Sequence, residues 1–477
     1  MRKIVLLGYG TVGECTLPLL VENELARPGD ITVVDKKAEP AEFGRYASLG
    51  VRYLSRDVTP DSLADILGEV AREGDLLINL SVSIHCLALA DWCQLHGVMY
   101  VDTAFEPWGD NIFGQEQPPH ERTMYWEHYS ARLHAATHWK KNGPTALFGH
   151  GANPGLVSHF AKAALIELSK SLRGEMECPR PSSKLEWAAL AQALGVKVIH
   201  ISERDTQITS RPRAVDEFVN TWSVFSFIEE SCRPVEVGWG SHEKLRPSGA
   251  LEHTVGPRHC LYLPVASSEF LLRSWVPRGG PIEGLALPHS EAITISDYFT
   301  AKRDDGSFYR PTVAYCYLPC DGAVASINEL RMKDWELPES YRVVKDEVID
   351  GADELGVLIL GPAQHGWWYG SRLDIHQTRA LIPNTNPTAL QVAAGAFSAS
   401  RWILENPNLE YRESEDLPYE QILASARPYL GEIISTPTNW DPLRNRRALY
   451  EDVLLDRTCR WQFNNFLVHG GFRGRPS

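Results

Sequence analysis

The chain has 477 residues, which is too long for one ordinary hydrophobic core, so we expect more than one domain. Its formal net charge of −14 argues against nucleic acid as a partner and suits a cationic ligand better, although many proteins are acidic simply for solubility. The nine cysteines follow no disulfide framework and no apolar run approaches about 18 residues, so we expect a cytoplasmic protein with reduced thiols and no membrane span.

The N-terminal segment carries a dinucleotide-binding fingerprint. The apolar run 4–7 leads directly into Gly8-Tyr9-Gly10-Thr11-Val12-Gly13. In this pattern Gly8 allows a tight turn, Gly10 lets the backbone approach a pyrophosphate, and Gly13 lets the following helix pack on the sheet. The N-terminus of that helix then receives the phosphates.

Asp35 closes a second apolar run, 31–34, and predicts which dinucleotide binds. An acid at this spacing accepts a hydrogen bond from the ribose 2′-hydroxyl, whereas a 2′-phosphate would meet a like charge. We therefore predict NAD rather than NADP, although Lys36 and Lys37 lie close enough in sequence to contact a phosphate.

Alternating strand and helix patterns continue to about residue 155. We predict strands over 51–54, 75–80, 99–103 and 145–149, with helices over 59–72 and 84–95. This alternation predicts a Rossmann-type, doubly wound parallel sheet, whose ligands sit beyond the carboxyl ends of the strands. The predicted cofactor-binding residues are Gly8, Gly10, Thr11, Val12, Gly13, Asp35, Ser81 and Thr103.

The rest of the chain changes in character. An apolar helix over 155–169 and another from about 184 precede a β-rich stretch that runs to about residue 380. We interpret 156–380 as an α+β domain for substrate binding and dimerisation, following a dinucleotide-binding domain over 1–155. In the remaining segment, 381–477, an Ala-rich helix over 387–405 is expected to return to the first domain.

Carboxylates and tryptophans recur together in the second domain. A diamine is a dication with an apolar stem, so it needs an acid for each ammonium and an aromatic face where positive charge develops. Taken singly, each residue has a plainer interpretation: Trp222 as core, His289 as a structural histidine, and Glu230 as a surface charge. Cys316 and Cys320 lack a second Cys or His pair at zinc-like spacing, so we predict no metal site.

The motifs as a set resemble those of bacterial NAD-dependent homospermidine synthases, with saccharopine and carboxynorspermidine dehydrogenases as wider relatives. The resemblance extends over most of the chain. Its most specific runs are Asn-Thr-Trp-Ser over 220–223 and Gly-Trp-Gly-Ser-His-Glu over 238–243. Further runs are His150 through His159, which contains an Asn-Pro-Gly turn, Ser-Glu-Ala-Ile over 290–293, and Asp-Glu-Leu-Gly over 353–356.

The resemblance implies a homodimeric transferase that acts on putrescine and other polyamines. NAD would take a hydride from putrescine, ammonia would leave, and the hydride would return once a second amine had joined the four-carbon unit. Trp222 would hold the cationic imine by a cation–π contact and Glu230 would bind an adjacent ammonium. The remaining implied site residues are Asn153 and His289, which would position substrate, and Glu106, Glu203 and Asp353, which would bind amines.

Two other interpretations stay open on the sequence. A dehydrogenase of the saccharopine or carboxynorspermidine type would make a net redox change and would need Arg to hold a substrate carboxylate. Arg204, next to Glu203, is the nearest candidate for that role. A non-catalytic NAD-binding sensor would give Trp222 and its neighbouring acids no chemical work.

Overall fold

A computed structural model describes residues 2–109, 117–174, 178–302, 305–361, 366–446 and 455–468. Within these ranges the first sheet has seven strands, in the spatial order β22-β6-β5-β4-β1-β2-β3, and every neighbouring pair is parallel. The first six strands show the 3-2-1-4-5-6 order of a Rossmann sheet, which confirms the predicted fold class. The strands are β1 (Ile4–Leu7), β2 (Ile31–Asp35), β3 (Arg52–Ser55), β4 (Leu76–Asn79), β5 (Met99–Asp102), β6 (Ala146–Phe148) and β22 (Tyr411–Glu413).

Helices connect these strands, mostly where the sequence predicts them. The third helix begins at Leu63 instead of Pro60, because Thr59 and Ser62 hydrogen-bond to each other and hold the first residues in a turn. A helix after β5 was not predicted; its first turn is held by the side chains of Thr123 and Glu236. The helices are α1 (Thr11–Glu22), α2 (Gly44–Leu49), α3 (Leu63–Val70), α4 (Cys86–His96) and α5 (Met124–His138).

The second domain is a mixed sheet with helices against it. In the part of the chain that the structure describes, its main path runs β11-β12-β10-β17-β7-β20-β21-β23, and the hairpin β13-β14 joins through β17. At its centre β7 lies parallel to β17 and antiparallel to β20. The path consists of β7 (Val198–Asp205), β10 (Pro234–Gly238), β11 (Leu251–Glu252), β12 (Cys260–Ala266), β13 (Leu271–Val276), β14 (Gly280–Leu285), β17 (Thr312–Leu318), β20 (Ala352–Leu360), β21 (Gly366–Asp374) and β23 (Glu432–Thr438).

Shorter strand pairs and further helices complete the domain. The pairs are β8 (Ile208–Thr209) with β19 (Val348–Asp350), β9 (Glu217–Asn220) with β18 (Ser340–Val343), and β15 (Ala301–Lys302) with β16 (Phe308–Tyr309). The helices are α6 (Leu156–Arg173), α7 (Lys184–Ala193), α8 (Val224–Cys232), α9 (Ser290–Tyr298), α10 (Asp321–Met332), α11 (Ile375–Leu381), α12 (Pro387–Glu405) and α13 (Tyr419–Ala426).

The C-terminal part of the chain connects the two domains. As predicted, α12 returns to the first domain, where it packs against α1 and β5. After it, β22 adds a seventh strand to the Rossmann sheet, whereas β23 pairs with β21 in the mixed sheet. The segment 381–477 therefore contributes to both sheets. None of the described helices has the length and apolar character that a membrane span requires.

Candidate active site

The glycine-rich turn after β1 has the shape that a pyrophosphate requires. Gly8 has φ +94°, and a Cβ there would lie 2.7 Å from the backbone of Leu80. A Cβ at Gly13 would overlap the carbonyl oxygen of Gly8, so α1 lies directly against the turn. A Cβ at Gly10 would meet nothing within 4 Å, and α1 begins at the next residue. The open space beside Gly10 and the unpaired N–H groups of the first helical turn together suit a phosphate-bearing cofactor.

Asp35 lies at the carboxyl end of β2, with both oxygens fixed by backbone donors. The Tyr9 N–H donates to Oδ2 at 2.6 Å and the Lys37 N–H donates to Oδ1 at 2.8 Å. A carboxylate has about four lone-pair positions, so each oxygen retains one for a ribose hydroxyl. Ser81 lies beyond the end of β4, where its hydroxyl donates to Asn79 at 2.5 Å, and Thr103 follows β5. The glycine turn, Asp35, Ser81 and Thr103 thus lie at or just beyond the carboxyl ends of β1, β2, β4 and β5, and their contact with a cofactor stays a prediction.

The register of the mixed sheet brings carboxyl groups together. Glu203 and Asp205 lie two residues apart on β7 and therefore share a face. Asp353 on β20 pairs with Asp205, and Tyr317 on β17 pairs with Glu203. All four residues are buried.

Hydrogen bonds connect this acidic group to the first domain. Asn153, in the turn between β6 and α6, donates its Nδ2 to Glu203 at 2.9 Å. The hydroxyl of Tyr315 donates to the same carboxylate oxygen of Glu203. Asp353 accepts from Thr388 on α12 at 2.7 Å, and no N–H donor among the described residues reaches its Oδ1. A buried carboxylate oxygen without an N–H donor suits an ammonium ligand.

Burial makes these acids reluctant to ionise. It raises the pKa of Glu203 to about 7 and that of Asp205 to about 6. Burial and the nearby Glu203 and Asp205 raise the pKa of Asp353 well above its usual value. A cation that entered the group would favour the ionised forms, because it would supply the charge that the buried acids lack.

His289 lies between two further carboxylates. Its Nδ1 donates to Glu291 at 3.1 Å and its Nε2 donates to Glu230 at 3.3 Å. Burial lowers the pKa of His289, but Glu291 and Glu230 outweigh this effect and raise the pKa well above the ordinary value. The two carboxylates therefore favour the protonated form of the imidazole, whose ring lies 4.4 Å from that of Tyr315.

Trp222 lies between β9 and α8, half-buried against the main core. Its Nε1 donates to the hydroxyl of Tyr317 at 3.3 Å, and the Tyr317 ring is stacked at 5.7 Å on that of Tyr315. Two tyrosines thus connect Trp222 to Glu203 and His289 in one aromatic and acidic site. The position of the Trp222 indole therefore allows either role, packing in the core or contact with a ligand.

Glu106 occupies a neighbouring position. It accepts hydrogen bonds from the Ser83 N–H at 3.2 Å and from the Ser226 hydroxyl at 3.4 Å, which ties it to the helix that carries Glu230. Burial, reinforced by Glu229, raises the pKa of Glu106 to about 8. A cavity of about 310 Å³ adjoins it, lined by Glu121, Glu127, Glu229, Arg122 and Arg233 among others.

The structure also brings to this group four side chains that the sequence analysis did not select, namely Asp205, Glu291, Tyr315 and Tyr317. The alternation of β17, which places Tyr315 and Tyr317 on one face, was the available signal for the tyrosines. Asp205 repeats Glu203 at the same two-residue spacing on β7. Glu291 lay within a recognised motif and carried no signal of its own.

The site has an excess of carboxyl groups over basic side chains. Within the described residues, no Lys or Arg side chain hydrogen-bonds or ion-pairs with Glu203, Asp205, Asp353, Glu230 or Glu291. Arg204 does not change this balance, because strand alternation turns it to the opposite face of β7, where it lies beside Gly279. A substrate carboxylate bound among these five acids would find no Arg that is hydrogen-bonded to them in the described residues, whereas Arg122 and Arg233 line the adjoining cavity beside Glu106.

The comparisons with known proteins agree with this description. Residues 4–147 match the saccharopine dehydrogenase NADP binding domain, and residues 151–401 match the saccharopine dehydrogenase C-terminal domain. Fold and site thus define an enzyme of the saccharopine dehydrogenase class, with a dinucleotide domain facing a buried acidic site.

Closer relatives narrow the class. A homospermidine synthase from Blastochloris viridis is 38% identical over 475 residues, covering 98% of this chain and 97% of that protein. One from Mesorhizobium japonicum is 36% identical over 470 residues, covering 98% and 96%. The crystal structure of the Legionella pneumophila homospermidine synthase in complex with NAD is 37% identical, covers 98% of both chains and superimposes with a TM-score of 0.90. The chain belongs to the homospermidine synthase family.

Proposed function

We propose that this protein joins two putrescine molecules into sym-homospermidine with release of ammonia. Spermidine would serve as an alternative aminobutyl donor, with release of 1,3-diaminopropane. The observation that carries the proposal is the group of five carboxyl groups, four of them buried and Glu230 half-buried, for which the described residues supply one ion-pair partner, His289. Such a site complements a diammonium substrate and disfavours the carboxylate-bearing substrate of a saccharopine-type dehydrogenase.

We further propose NAD as the cofactor. NAD, when bound, accepts a hydride from the terminal carbon of putrescine and returns it to the final imine. The turn around Gly10 and the fixed carboxylate of Asp35 fit the pyrophosphate and the ribose. The matching family model is described as NADP-binding, but the Asp35 carboxylate would repel a 2′-phosphate. The Legionella relative was crystallised with NAD.

We assign some site residues to the putrescine amine that reacts and others to the amine that does not react. An ammonium must lose a proton before its carbon can give up a hydride, and a carboxylate whose pKa lies near 7 is suited to take that proton. Burial raises the pKa of Glu203 to about 7, so we assign it this role. Asn153, hydrogen-bonded to Glu203, would orient the amine beside the cofactor crevice. Asp353 would bind an ammonium through its Oδ1.

Positive charge then develops on the carbon–nitrogen bond. The second putrescine amine adds to the imine carbon and ammonia leaves, so that one C–N bond forms and another breaks. Trp222 would stabilise the cationic imine with its ring face, and Glu230, held by His289, would bind the neighbouring ammonium. Glu106 would bind an amine of the second putrescine, which would enter from the cavity that adjoins Glu106.

Product identification tests the proposal. The purified protein should convert putrescine into homospermidine and ammonia with catalytic amounts of NAD, and absorbance of NADH should not accumulate. Release of one NADH for each amine consumed would leave a net dehydrogenase instead. If the protein bound NAD but converted no amine, the alternative of a non-catalytic NAD-binding sensor would be supported instead.

A homodimer and a cytoplasmic location also belong to this proposal. Both follow from the family resemblance, and the homodimer is the easier of the two to measure. Analytical ultracentrifugation should give about twice the chain mass of 53.4 kDa. A single species at the monomer mass would overturn the dimer.

A further inference from the structure

A second cavity lies apart from the acidic site. It has a volume of about 440 Å³ and is bordered by the residue before β7, the loop after β10, and the ends of β20 and β21. Residues 439–441 and 457–462 supply the rest of its lining. None of the residues proposed for polyamine binding lines it.

Its lining is basic, in a protein whose net charge is −14. The cationic side chains are Lys197, Lys244, Arg457 and Arg460, against one carboxylate, Asp441, which leaves an excess of three positive charges. Arg460 pairs with Asp441 at 3.2 Å. Across the residues described, Lys197 and Arg457 form no ion pair with a carboxylate. Lys244 interacts electrostatically with Asp456, next to the lining, which reduces the local excess to two positive charges.

The backbone that presents these cations is anchored by specific hydrogen bonds. His242 Nε2 donates to the Trp461 carbonyl at 2.8 Å, and Gln462 Nε2 donates to the His242 carbonyl at 2.9 Å. The Lys244 N–H donates to Gln462 Oε1 at 2.7 Å. The segment that carries Arg457 and Arg460 is thereby fixed to the loop that carries Lys244. Preorganised cations bind an anion at a lower entropic cost than mobile ones.

A cysteine inside the cavity provides an internal probe. Lys244 Nζ donates to Cys459 Sγ at 2.6 Å, and Cys459 is half-buried. Cys178 is also half-buried, but its contacts are with the backbone carbonyls of Ile166 and Pro179. The two thiols therefore have similar exposure in different surroundings.

We propose that this cavity binds a small molecule carrying a diphosphate group. Arg guanidinium forks and Lys ammonium groups are the usual partners of phosphate oxygens. The volume lies within the range of small-molecule sites, and the charge excludes a polyamine. The protein would then bind a cationic substrate in one domain crevice and an anionic effector in a separate basic cavity.

Protection of Cys459 from alkylation tests this site in the full-length protein with NAD. Iodoacetamide labelling is followed by peptide mass spectrometry with inorganic pyrophosphate, ADP or sodium sulfate at equal ionic strength. At a ligand concentration about ten times the Kd, labelling of Cys459 should slow about tenfold. Labelling of Cys178 should not change. Protection by pyrophosphate and ADP alike assigns the diphosphate group itself, and protection by ADP alone assigns a nucleotide.

Matched variants make the test specific. Lys197→Gln and Arg457→Gln should each abolish the protection, whereas Arg52→Gln, on a surface pair with Glu69, should leave it unchanged. Calorimetric titration with pyrophosphate provides a second measurement that does not depend on the thiol. Equal labelling with and without both diphosphates, protection by sulfate to the same degree, or protection that persists in the cavity variants would each overturn the proposal.

Discussion

Trp222 has two possible roles, because a half-buried indole can pack in the core or make a cation–π contact with a ligand. We predict that Trp222→Leu lowers kcat/KM for putrescine about 30-fold, because a desolvated cation–π contact is worth about 2 kcal/mol. Trp222→Phe, which keeps a smaller aromatic face, should lose less. Steady-state kinetics measure both, and near-ultraviolet circular dichroism checks the fold. Equal activity of the unaltered protein and both variants would show that Trp222 only packs in the core.

Asp35 should determine the choice of cofactor. Its carboxylate is already oriented by the Tyr9 and Lys37 N–H groups, so it is ready to accept ribose hydroxyls. We predict that Asp35→Ala weakens NAD binding about tenfold or more, the equivalent of one hydrogen bond to a charged group, and narrows the preference over NADP. Fluorescence titration with both dinucleotides gives the two Kd values. Comparable binding of NAD and NADP by the unaltered protein would contradict this assignment.

The buried carboxyl groups predict how activity depends on pH. Burial raises the pKa of Glu203 to about 7 and that of Asp205 to about 6. As pH falls through these values the acids gain protons and lose their attraction for an ammonium, so kcat/KM for putrescine should decrease. This parameter reports ionisation of the free enzyme.

Glu203→Gln is the matched variant, because it keeps the shape and the acceptor oxygen but cannot ionise. The variant should have a lower kcat/KM for putrescine at every pH, and this value should no longer decrease near pH 7. NAD binding, measured separately at each pH, should be the same in both proteins. An unchanged pH profile in the variant would assign the titration to another group.

Among the helices, α12 connects the cofactor to the substrate site through its N-cap. Asn386 Oδ1 accepts from the Ala389 N–H at 2.8 Å, while Nδ2 donates to the carbonyls of Thr221 and Val344, both at 2.7 Å. The side chain is buried, and the helix that it caps packs on α1. Asn386 is therefore a positioning residue that fixes the backbone next to Trp222 relative to the cofactor helix.

Asn386→Ser keeps a helix-capping oxygen but removes both amide donors. Leaving a buried carbonyl unpaired costs about 1–3 kcal/mol. We predict a kcat reduced about tenfold with the KM for NAD unchanged, because Trp222 is displaced while the cofactor turn is intact. Ser183→Ala, which removes the N-cap of α7, is the control and should lower thermal stability without affecting kcat. Equal kcat in the two variants would show that Asn386 serves stability alone.

The helices and strands also show what local sequence can predict. The bounds of α12 were predicted correctly, because an Asn cap, a Pro at the first position and a long apolar run coincide at 386–387. The first six Rossmann strands followed from their short apolar runs, whereas β22, with the sequence Tyr-Arg-Glu, has no apolar run and was not predicted. The helix α5 is also missing from the prediction, since its aromatic, His and Ala residues form no clear apolar face.

The acidic site depends on long-range pairing, which local patterns do not contain. Glu203 and Asp353 are separated by 150 residues and meet only because β7 and β20 are neighbours in the mixed sheet. Family motifs identified both acids, but strand register is what adds Asp205 and the tyrosines of β17 to them. The hydrogen bond from Asn153 to Glu203 then joins the two domains at the site.

At the scale of the whole molecule, the protein places a group of buried carboxyl groups next to the Rossmann domain, which Asn153 joins to Glu203. Such an arrangement suits a reaction in which a reactive imine is kept from water until the hydride that formed it is returned. The redox change would then cancel within one catalytic cycle. A net dehydrogenase would instead release its reduced cofactor.

Isotope retention tests that cycle directly. Putrescine deuterated at both terminal carbons is incubated with the protein, catalytic NAD and an excess of unlabelled NADH in solution. If the abstracted hydride is returned before the reduced cofactor can leave, homospermidine should keep every deuterium, as measured by mass spectrometry, because the dissolved NADH never enters the site. Product in which one deuterium has been replaced by hydrogen would show that the cofactor exchanges between the two half-reactions, as it does in an ordinary pair of dehydrogenase steps.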